Sequence, residues 1–290
     1  MTGVVMASSV STRRSDPPGR WRPDRVLGRL AARALPPLLV LVLLLGAWYW
    51  TSTTLLSPAR RFLLPPPDDV VRIGFGDAAN RAELLDGLAL TAGVAGLGLV
   101  IAVLVGLLWA ALMSQSRWLD RALYPYAVVL QTIPVLAVVP LIGHAMGYSY
   151  ASRVLICVLI SVFPVVANGY FGLRSVDQGH HDLFTLYRAG RLTRLWRLQF
   201  PAALPAIFIG LRIAAGASVI GAVVGDFFFQ QGEPGLGQLI PTYLRNVQTE
   251  KSYAAVALAC LLGLVVFAVF GVLARWVASW HESAQHRPTV

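Results

Sequence analysis

A long polar segment between Asp182 and Pro205 interrupts a chain that is otherwise strongly apolar. Its apolar residues recur at helical spacing in two groups, which are Leu183, Leu186 and Tyr187 and then Leu192, Leu195 and Trp196. Arginines occupy positions 188, 191, 194 and 197 on the other faces, and Ala189 and Gly190 separate the two groups. The segment therefore predicts two short amphipathic helices, each with an apolar side that docks and a cationic side in water.

Two interpretations of this arginine-rich segment, taken as residues 178–200, follow from its residues alone. In one, the helix pair lies on lipid headgroups at the membrane surface. In the other, it is a docking element for a soluble partner. Pro201 and Pro205 follow the segment and predict the return of the chain into its next apolar run.

The composition excludes a water-soluble globule. Hydrophobic residues make up 56% of the 290 residues, charged residues make up 13%, and the mean hydropathy is +0.64. A chain of this composition would expose large apolar surfaces in water, so it is an integral membrane protein. The formal charge of +10 has a topological explanation, because positive residues orient membrane helices, and no nucleic-acid partner is expected.

Six apolar stretches each reach the roughly 20 residues that a helix needs to cross a bilayer. They lie near residues 35–53, 87–113, 122–144, 151–173, 202–226 and 253–279. The predicted fold is therefore an all-α integral membrane protein with about six transmembrane helices. The predicted transmembrane domain covers residues 35–280.

The N-terminal residues 1–34 contain seven arginines and two aspartates and predict a mostly disordered cytoplasmic tail. A signal peptide is the alternative, since this basic region precedes an apolar run. The run ends in the aromatic cluster Trp48, Tyr49 and Trp50 without a small-residue cleavage pattern, which favours an uncleaved first span.

The loop charges predict the orientation of the spans. Residues 174–200 contain five arginines and two aspartates, which places this loop in the cytoplasm. Six crossings then return the C-terminal tail, residues 281–290, to the cytoplasmic side. The sequence thus predicts a multi-pass protein of the plasma (inner) membrane with both termini in the cytoplasm.

Two spans carry features that bear on packing and transport. The second span has glycines at positions 87, 93, 96, 98 and 106, which predict close helix contact. The third span is interrupted by Pro134 and Pro140, and broken helices tend to line cavities. The polar residues of the third and fourth spans are therefore candidates for a pathway, with hydrogen bonding to neighbouring helices as the alternative. These candidates are Gln131, Thr132, His144 and Asn168.

Three further charged positions have structural interpretations. Asp68 and Asp69 follow three prolines and predict a cap for a helix that starts at Val70, with contact to an external partner as the alternative. Arg212 lies several residues inside the fifth span, where it can snorkel to the membrane surface. Asp226 ends the same span at its predicted outer mouth.

The chain lacks the residues of a nucleotide-hydrolysing or metal site. A phosphate-binding loop ends in Gly-Lys-Ser or Gly-Lys-Thr, and the one lysine, Lys251, follows Glu250 instead. Cys157 and Cys260 lie in apolar spans, and the five histidines do not share one helix face at ligand spacing. We therefore expect no catalytic residue, no metal and no cofactor.

The arginine-rich segment resembles the cytoplasmic coupling loop of binding-protein-dependent ABC importer permeases, whose pattern is Glu-Ala-Ala, three residues, Gly, nine residues, Ile-x-Leu-Pro. Only the proline is identical, and a bend at Gly190 is the alternative to one at the pattern's glycine position. With Pro201 as the anchor, the corresponding residues are Asp182, Leu183, Phe184, Arg188 (at the glycine), Leu198 and Phe200. Residues 131–142, 163–177 and 201–228 also resemble the nitrate, sulfonate, taurine and pyrimidine-precursor branch.

The resemblance implies a type I importer permease in which two copies, expected to be identical, form the pathway. It further implies two ABC ATPase subunits docked through 178–200 and an external solute-binding protein that delivers a small solute. Pyrimidine precursors of thiamine are the expected solute class, ahead of sulfonates and nitrate. A self-sufficient secondary transporter is the alternative, and it predicts an internal repeat and a carboxylate at the centre of a span.

Overall fold

The computed structural model describes the backbone of residues 23–285 and the side chains of residues 35–277. Most of the predicted N-terminal tail and the last five residues lie outside this range. Regular structure in the described range is helical throughout. The expected all-α fold is confirmed.

The N-terminal unit, residues 1–55, contains one long helix. Helix α1 runs from Pro23 to Trp50, and a π-helical turn, Thr51–Leu55, continues it. Its apolar part, Leu35–Leu55, is long enough to cross a membrane, and its leucines are exposed on all sides. The first span is predicted to start at residue 35. Helix α1 begins earlier, at Pro23, so it also includes the end of the basic stretch.

The second unit contains the remaining helices. After a 3₁₀ turn at Pro58–Leu63, α2 is Pro67–Gly76, α3 is Ala78–Gln115, α4 is Arg117–Thr132, α5 is Val135–Met146 and α6 is Tyr150–Arg174. Then α7 is Gln178–Leu186, α8 is Arg191–Arg194, α9 is Phe200–Phe228, α10 is Leu236–Arg245 and α11 is Thr249–Gln285. A π-helical turn, Leu195–Gln199, joins α8 to α9.

Five helices of the described chain are long and apolar enough to span a membrane, and the count is six if the bent pair α4–α5 crosses as one span. This agrees with the prediction of about six spans. Helices α4 and α5 meet at 96°, because Pro134 forces Ile133 into an extended conformation with ψ of 124°. The expectation that Pro140 also interrupts the span is wrong, since Pro140 lies inside α5.

Helix α2 begins three residues earlier than expected, at Pro67. Asp68 and Asp69 therefore lie in its first turn and do not cap it, and Asp69 pairs instead with Arg72. A carboxylate in a first turn is still favourable, because it faces the positive end of the helix dipole.

Helix α6 packs between α3 and α9 in the core of the second unit. One cluster joins the three helices through Val94, Cys157 and Ala222, all fully buried. The predicted close contacts at glycines occur at three of the five positions, Gly87, Gly98 and Gly106, where an added Cβ would lie within 3 Å of a neighbour. Gly96 faces open space, so the glycines of α3 are not equivalent.

Gly98→Leu is expected to destabilise the protein by about 1–3 kcal/mol, the usual cost of overpacking. A Cβ at this position would lie 2.3 Å from the Cβ of Cys157, so α3 and α6 would have to separate. Thermal melting of the detergent-purified protein measures the effect. Gly96→Leu is the matched control on the same helix and should melt as the wild type does. Equal melting of both variants would contradict the proposed contact.

Candidate functional site

The arginine-rich segment begins with α7 and ends as part of a long helix. Helix α8, the π-helical turn and α9 form one continuous helix, Arg191–Phe228. The predicted second short helix is thus not separate, and Pro201 and Pro205 do not mark a break. Pro201 has no N–H to donate, and the chain widens into the π-helical turn just before it, where Phe200 N–H bonds Leu195 O.

The turn between α7 and α8 is built around Arg188. This residue has φ of 49°, in the left-handed region, while Gly190 has φ of −65°. The N–H of Arg188 donates to Thr185 O at 2.9 Å and that of Ala189 to Phe184 O at 3.0 Å. These two bonds form a Schellman motif, in which glycine is usual at the left-handed position. The bend therefore stays at the position where the resemblance places glycine, and Gly190 does not replace it.

The apolar side chains of this segment project outward. Leu186 is 82% exposed and Tyr187 is 79% exposed, at the end of α7. Leu192 is 70% exposed and Trp196 is 62% exposed, on the following helix. Asp182 is also exposed and accepts a hydrogen bond from Gln178 at 3.2 Å. No part of the described chain covers this apolar surface.

One contact fixes the segment on the rest of the molecule, and another fixes its two helices to each other. Leu195 is 8% exposed and packs with Leu173 of α6 and Ala203 of α9. Arg194 donates to Thr185 Oγ1 at 3.2 Å, which ties the end of α7 to α8. Of the other predicted residues, Leu183 and Pro201 are exposed, while Phe184 and Leu198 are half-buried.

The four pathway candidates lie in different surroundings. Asn168 donates to Pro164 O at 2.9 Å in its own helix and packs against Gly210 of α9. Thr132 donates to Val129 O at 2.9 Å, also within its helix. Gln131, beside the α4–α5 bend, and His144, in the last turn of α5, are exposed. Asn168 thus has a packing role in the structure, while Gln131, Thr132 and His144 are exposed.

Sequence reasoning missed a buried polar network at the opposite end of α9 from the arginine-rich segment. Arg153 of α6, 3% exposed, forms an ion pair of 3.0 Å with Asp226, which is fully buried. Thr91 of α3 donates to the other carboxylate oxygen at 2.6 Å and accepts the N–H of Leu236 at 2.9 Å. The network therefore joins α3, α6, α9 and the start of α10.

The same arginine holds the connection between α9 and α10. Arg153 donates to Glu233 O at 3.1 Å and to Gln231 O at 2.9 Å. Gly235 lies so close to Asp226 that a Cβ there would be 2.0 Å from a carboxylate oxygen. The sequence contains one signal for this contact, since Arg153 and Asp226 carry opposite charges and lie at neighbouring ends of two antiparallel spans. The described side chains contain no group of His, Cys, Asp and Glu that could hold a metal ion.

Comparison with known proteins identifies the class. Residues 102–281, more than half of the chain, match the binding-protein-dependent transport system inner membrane component family, and the chain belongs to that family. The recognised region includes the arginine-rich segment and both partners of the buried ion pair. The chain is thus a multi-pass membrane protein and the permease component of an importer for a small solute.

Relatives of known name agree with this class. The formylaminopyrimidine transport permease protein ThiX of Halalkalibacterium halodurans is 33% identical over 192 residues, which are 66% of this chain and 76% of ThiX. A probable ABC transporter permease protein of Haemophilus influenzae is 38% identical over 184 residues, 63% of this chain and 74% of the relative. The riboflavin transport system permease protein RibX of Chloroflexus aurantiacus is 34% identical over 170 residues, 59% of this chain and 63% of RibX.

Arg188→Gly is expected to slow hydrogen exchange of the amides at positions 188 and 189. A residue with a side chain pays roughly 1–2 kcal/mol to adopt the left-handed backbone conformation, and glycine does not. Arg188→Val should accelerate exchange of the same amides, since a β-branched residue is poorly tolerated there. Hydrogen exchange with mass spectrometry measures both. Gly190→Ala, at an ordinary φ and with no atom within 4 Å, is the control. Faster exchange in Arg188→Gly would contradict the assignment.

Arg153→Gln and Asp226→Asn should each destabilise the protein strongly, by about 3–5 kcal/mol, because each leaves an unpaired buried charge. The double variant removes both charges and should be less destabilised than the sum of the two single variants. Thermal melting in detergent measures all three. Additive effects would show that the two side chains do not act as a pair.

Proposed function

We propose that this chain is the membrane half of an ATP-driven importer and that the arginine-rich segment docks an ATP-hydrolysing subunit. The observation that carries the proposal is the exposed apolar surface at Leu186, Tyr187, Leu192 and Trp196. Burying a large apolar side chain contributes about 1.5–3 kcal/mol. A partner surface that covers these four side chains would therefore gain several kcal/mol.

The position of the segment supports a soluble partner over lipid headgroups. The predicted apolar run of α9 begins at residue 202, and the same helix extends back to Arg191. That extension of about 11 residues corresponds to roughly 16 Å at 1.5 Å per residue. The headgroup region on each side of a bilayer is only about 5–8 Å thick. An upright α9 would therefore hold Leu192 beyond the headgroups.

The arrangement of the segment also suits the transmission of force. The Schellman turn at Arg188 and the bond from Arg194 to Thr185 make α7 and α8 one compact unit. Leu195 fixes that unit to α6 and α9. Movement of docked ATPase subunits would be passed to the spanning helices as rigid-body motion, the usual means of switching access between two sides of a membrane.

The proposed assembly contains two copies of this chain, two ABC ATPase subunits and an external binding protein. In this proposal the arginine-rich segment and both termini are cytoplasmic, so the Arg153–Asp226 network lies at the outer end of the spans. Asp182, Leu183, Phe184, Arg188, Gly190, Leu198 and Pro201 form or support the docking surface. Gln131 and Thr132 contact the solute near the α4–α5 bend, His144 contacts it at the far end of α5, and Asn168 supports the wall.

We propose a small, largely uncharged heterocycle as the solute. ThiX and RibX are named for formylaminopyrimidine and riboflavin, and they are 33% and 34% identical to this chain. The aliphatic sulfonate permease SsuC of Bacillus subtilis is 29% identical. None of the exposed pathway candidates carries a fixed charge, which favours a neutral solute over an anion.

A secondary transporter receives less support. Such a protein needs an ionisable group in the membrane that can bind and release a coupling ion. The buried carboxylate of Asp226 already accepts hydrogen bonds from Arg153 and Thr91 on its two oxygens. Both of its oxygens are thus engaged within the protein, as expected of a structural group.

Leu186→Ser and Asp182→Lys are expected to abolish co-purification of an ATPase subunit, because each alters the exposed docking surface without touching the core. The test is affinity purification of the tagged protein in detergent, with an ATPase assay on the eluate. Leu244→Ser is the matched control, since Leu244 is 51% exposed on α10, away from the segment. Undiminished ATPase recovery with both docking variants would refute the docking assignment.

A further inference from the structure

The single arginines of α9 and α11 have no carboxylate partner in the part of the chain whose side chains are described. The ion pairs in that part are Arg72–Asp69, Arg153–Asp226 and Arg174–Asp120. Arg212 of α9 and Arg275 of α11 are both exposed and take part in none of them. A charge within a spanning helix is costly unless it has a counter-ion or reaches the membrane surface.

The two arginines meet at one point, Gly271 of α11. A Cβ added to Gly271 would lie 3.3 Å from Nε of Arg212, so the guanidinium group covers this glycine. Arg275 donates from Nε to Gly271 O at 3.3 Å. The guanidinium group of Arg212 also stands over the ring of Phe267 at 4.0 Å. Exposed arginine side chains from two different helices therefore both contact Gly271.

One end of an apolar groove between α9 and α11 lies next to these two arginines. The groove has a volume of about 600 Å³, and its wall near the arginines consists of Gly216, Gly263, Leu264 and Phe267. Gly216 lies one helical turn beyond Arg212, and Phe267 lies one turn before Gly271. The surface thus combines a cationic end with an apolar channel that follows the helix direction.

Arg275 lies toward the end of the bundle that carries the arginine-rich segment, and Arg212 lies near the middle of α9. Helix α9 leaves that segment at Phe200, and α11 runs in the opposite direction, with the exposed Trp276 next to Arg275. Tryptophan and arginine are typical of the boundary between hydrocarbon and headgroups. Arg212, packed on Gly271 one turn farther in, can reach the same boundary by extending its side chain.

We propose that Arg212 and Arg275 bind the phosphate of an anionic phospholipid and that one acyl chain of this lipid lies in the groove between α9 and α11. Charge complementarity decides between the possible occupants. An apolar helix of a second copy would cover two arginines without supplying an anion, whereas a lipid supplies both a phosphate and an apolar chain. The proposal requires only that the chain spans a membrane, so it stands even if the ATPase docking assignment fails.

The experiment measures lipid binding to the purified wild-type protein in a neutral detergent, with native mass spectrometry and thermal melting. Phosphatidylglycerol should bind and raise the melting temperature more than phosphatidylcholine does. Arg212→Gln and Arg275→Gln should each weaken phosphatidylglycerol binding by about tenfold, the effect of losing one charge-assisted hydrogen bond. Arg212→Lys, which keeps the charge, should retain part of the binding.

Two controls separate this site from general attraction between charges. Arg121→Gln removes an exposed arginine from α4, away from the groove, and should bind phosphatidylglycerol as the wild type does. Leu264→Trp fills the groove without changing the charge and should weaken binding although both arginines remain. It also provides a test if an arginine variant does not fold.

Three results would overturn the proposal. Equal stabilisation by the two lipids would remove the role of the headgroup. If inorganic phosphate, added in the presence of phosphatidylcholine, stabilised the protein as much as phosphatidylglycerol does, the arginines would form a site for a free anion. A change from dimer to monomer in Arg212→Gln that is independent of lipid would assign the groove to a second copy of the chain.

Discussion

The ion pair between Arg153 and Asp226 is the centre of a polar network that joins four helices. It links α6 to α9, and Thr91 adds α3 and the first turn of α10. In a membrane the main driving force between helices is close packing, which small residues such as Gly98 and Gly106 permit. Packing alone allows helices to slide along one another, whereas a buried ion pair with several hydrogen bonds has one geometry.

The two ends of the second unit differ in which side chains they bury and which they expose. At the end with the ion pair, polar groups are buried and the chain connection is held by Arg153. At the other end, Leu186 and Tyr187 are exposed and the arginines surround them. A closed end and an open end suit a protein whose core is fixed and whose binding surface is completed by another molecule.

Much of the fold could be predicted from the sequence because a bilayer imposes simple rules on length and hydropathy. Five of the apolar runs became spanning helices and the third became the bent pair α4–α5, whose break at Pro134 followed from the geometry of the residue before proline. Pro140 was misjudged because a proline within a membrane helix does not always break it. Sequence composition alone does not distinguish these two outcomes.

The sites were less predictable because they depend on contacts between distant residues. Arg153 and Asp226 are 73 positions apart, and no local pattern indicates that they meet. Position Arg188 was identified by alignment to the coupling-loop pattern, but its left-handed conformation became visible only in the structure. The merging of α8 with α9 was missed because the π-helical turn before Pro201 has no clear sequence pattern.

The continuous helix from Arg191 to Phe228 has a mechanical consequence. Its 38 residues correspond to a rod of about 57 Å, with the exposed apolar surface of the arginine-rich segment near one end and Asp226 near the other. A tilt of about 10° around its middle would move each end by roughly 5 Å, about one helical turn. The π-helical turn at Leu195–Gln199 lies near the end with the exposed apolar surface. A small change of geometry at this turn would leave the length of the α-helix from Phe200 to Asp226 unchanged.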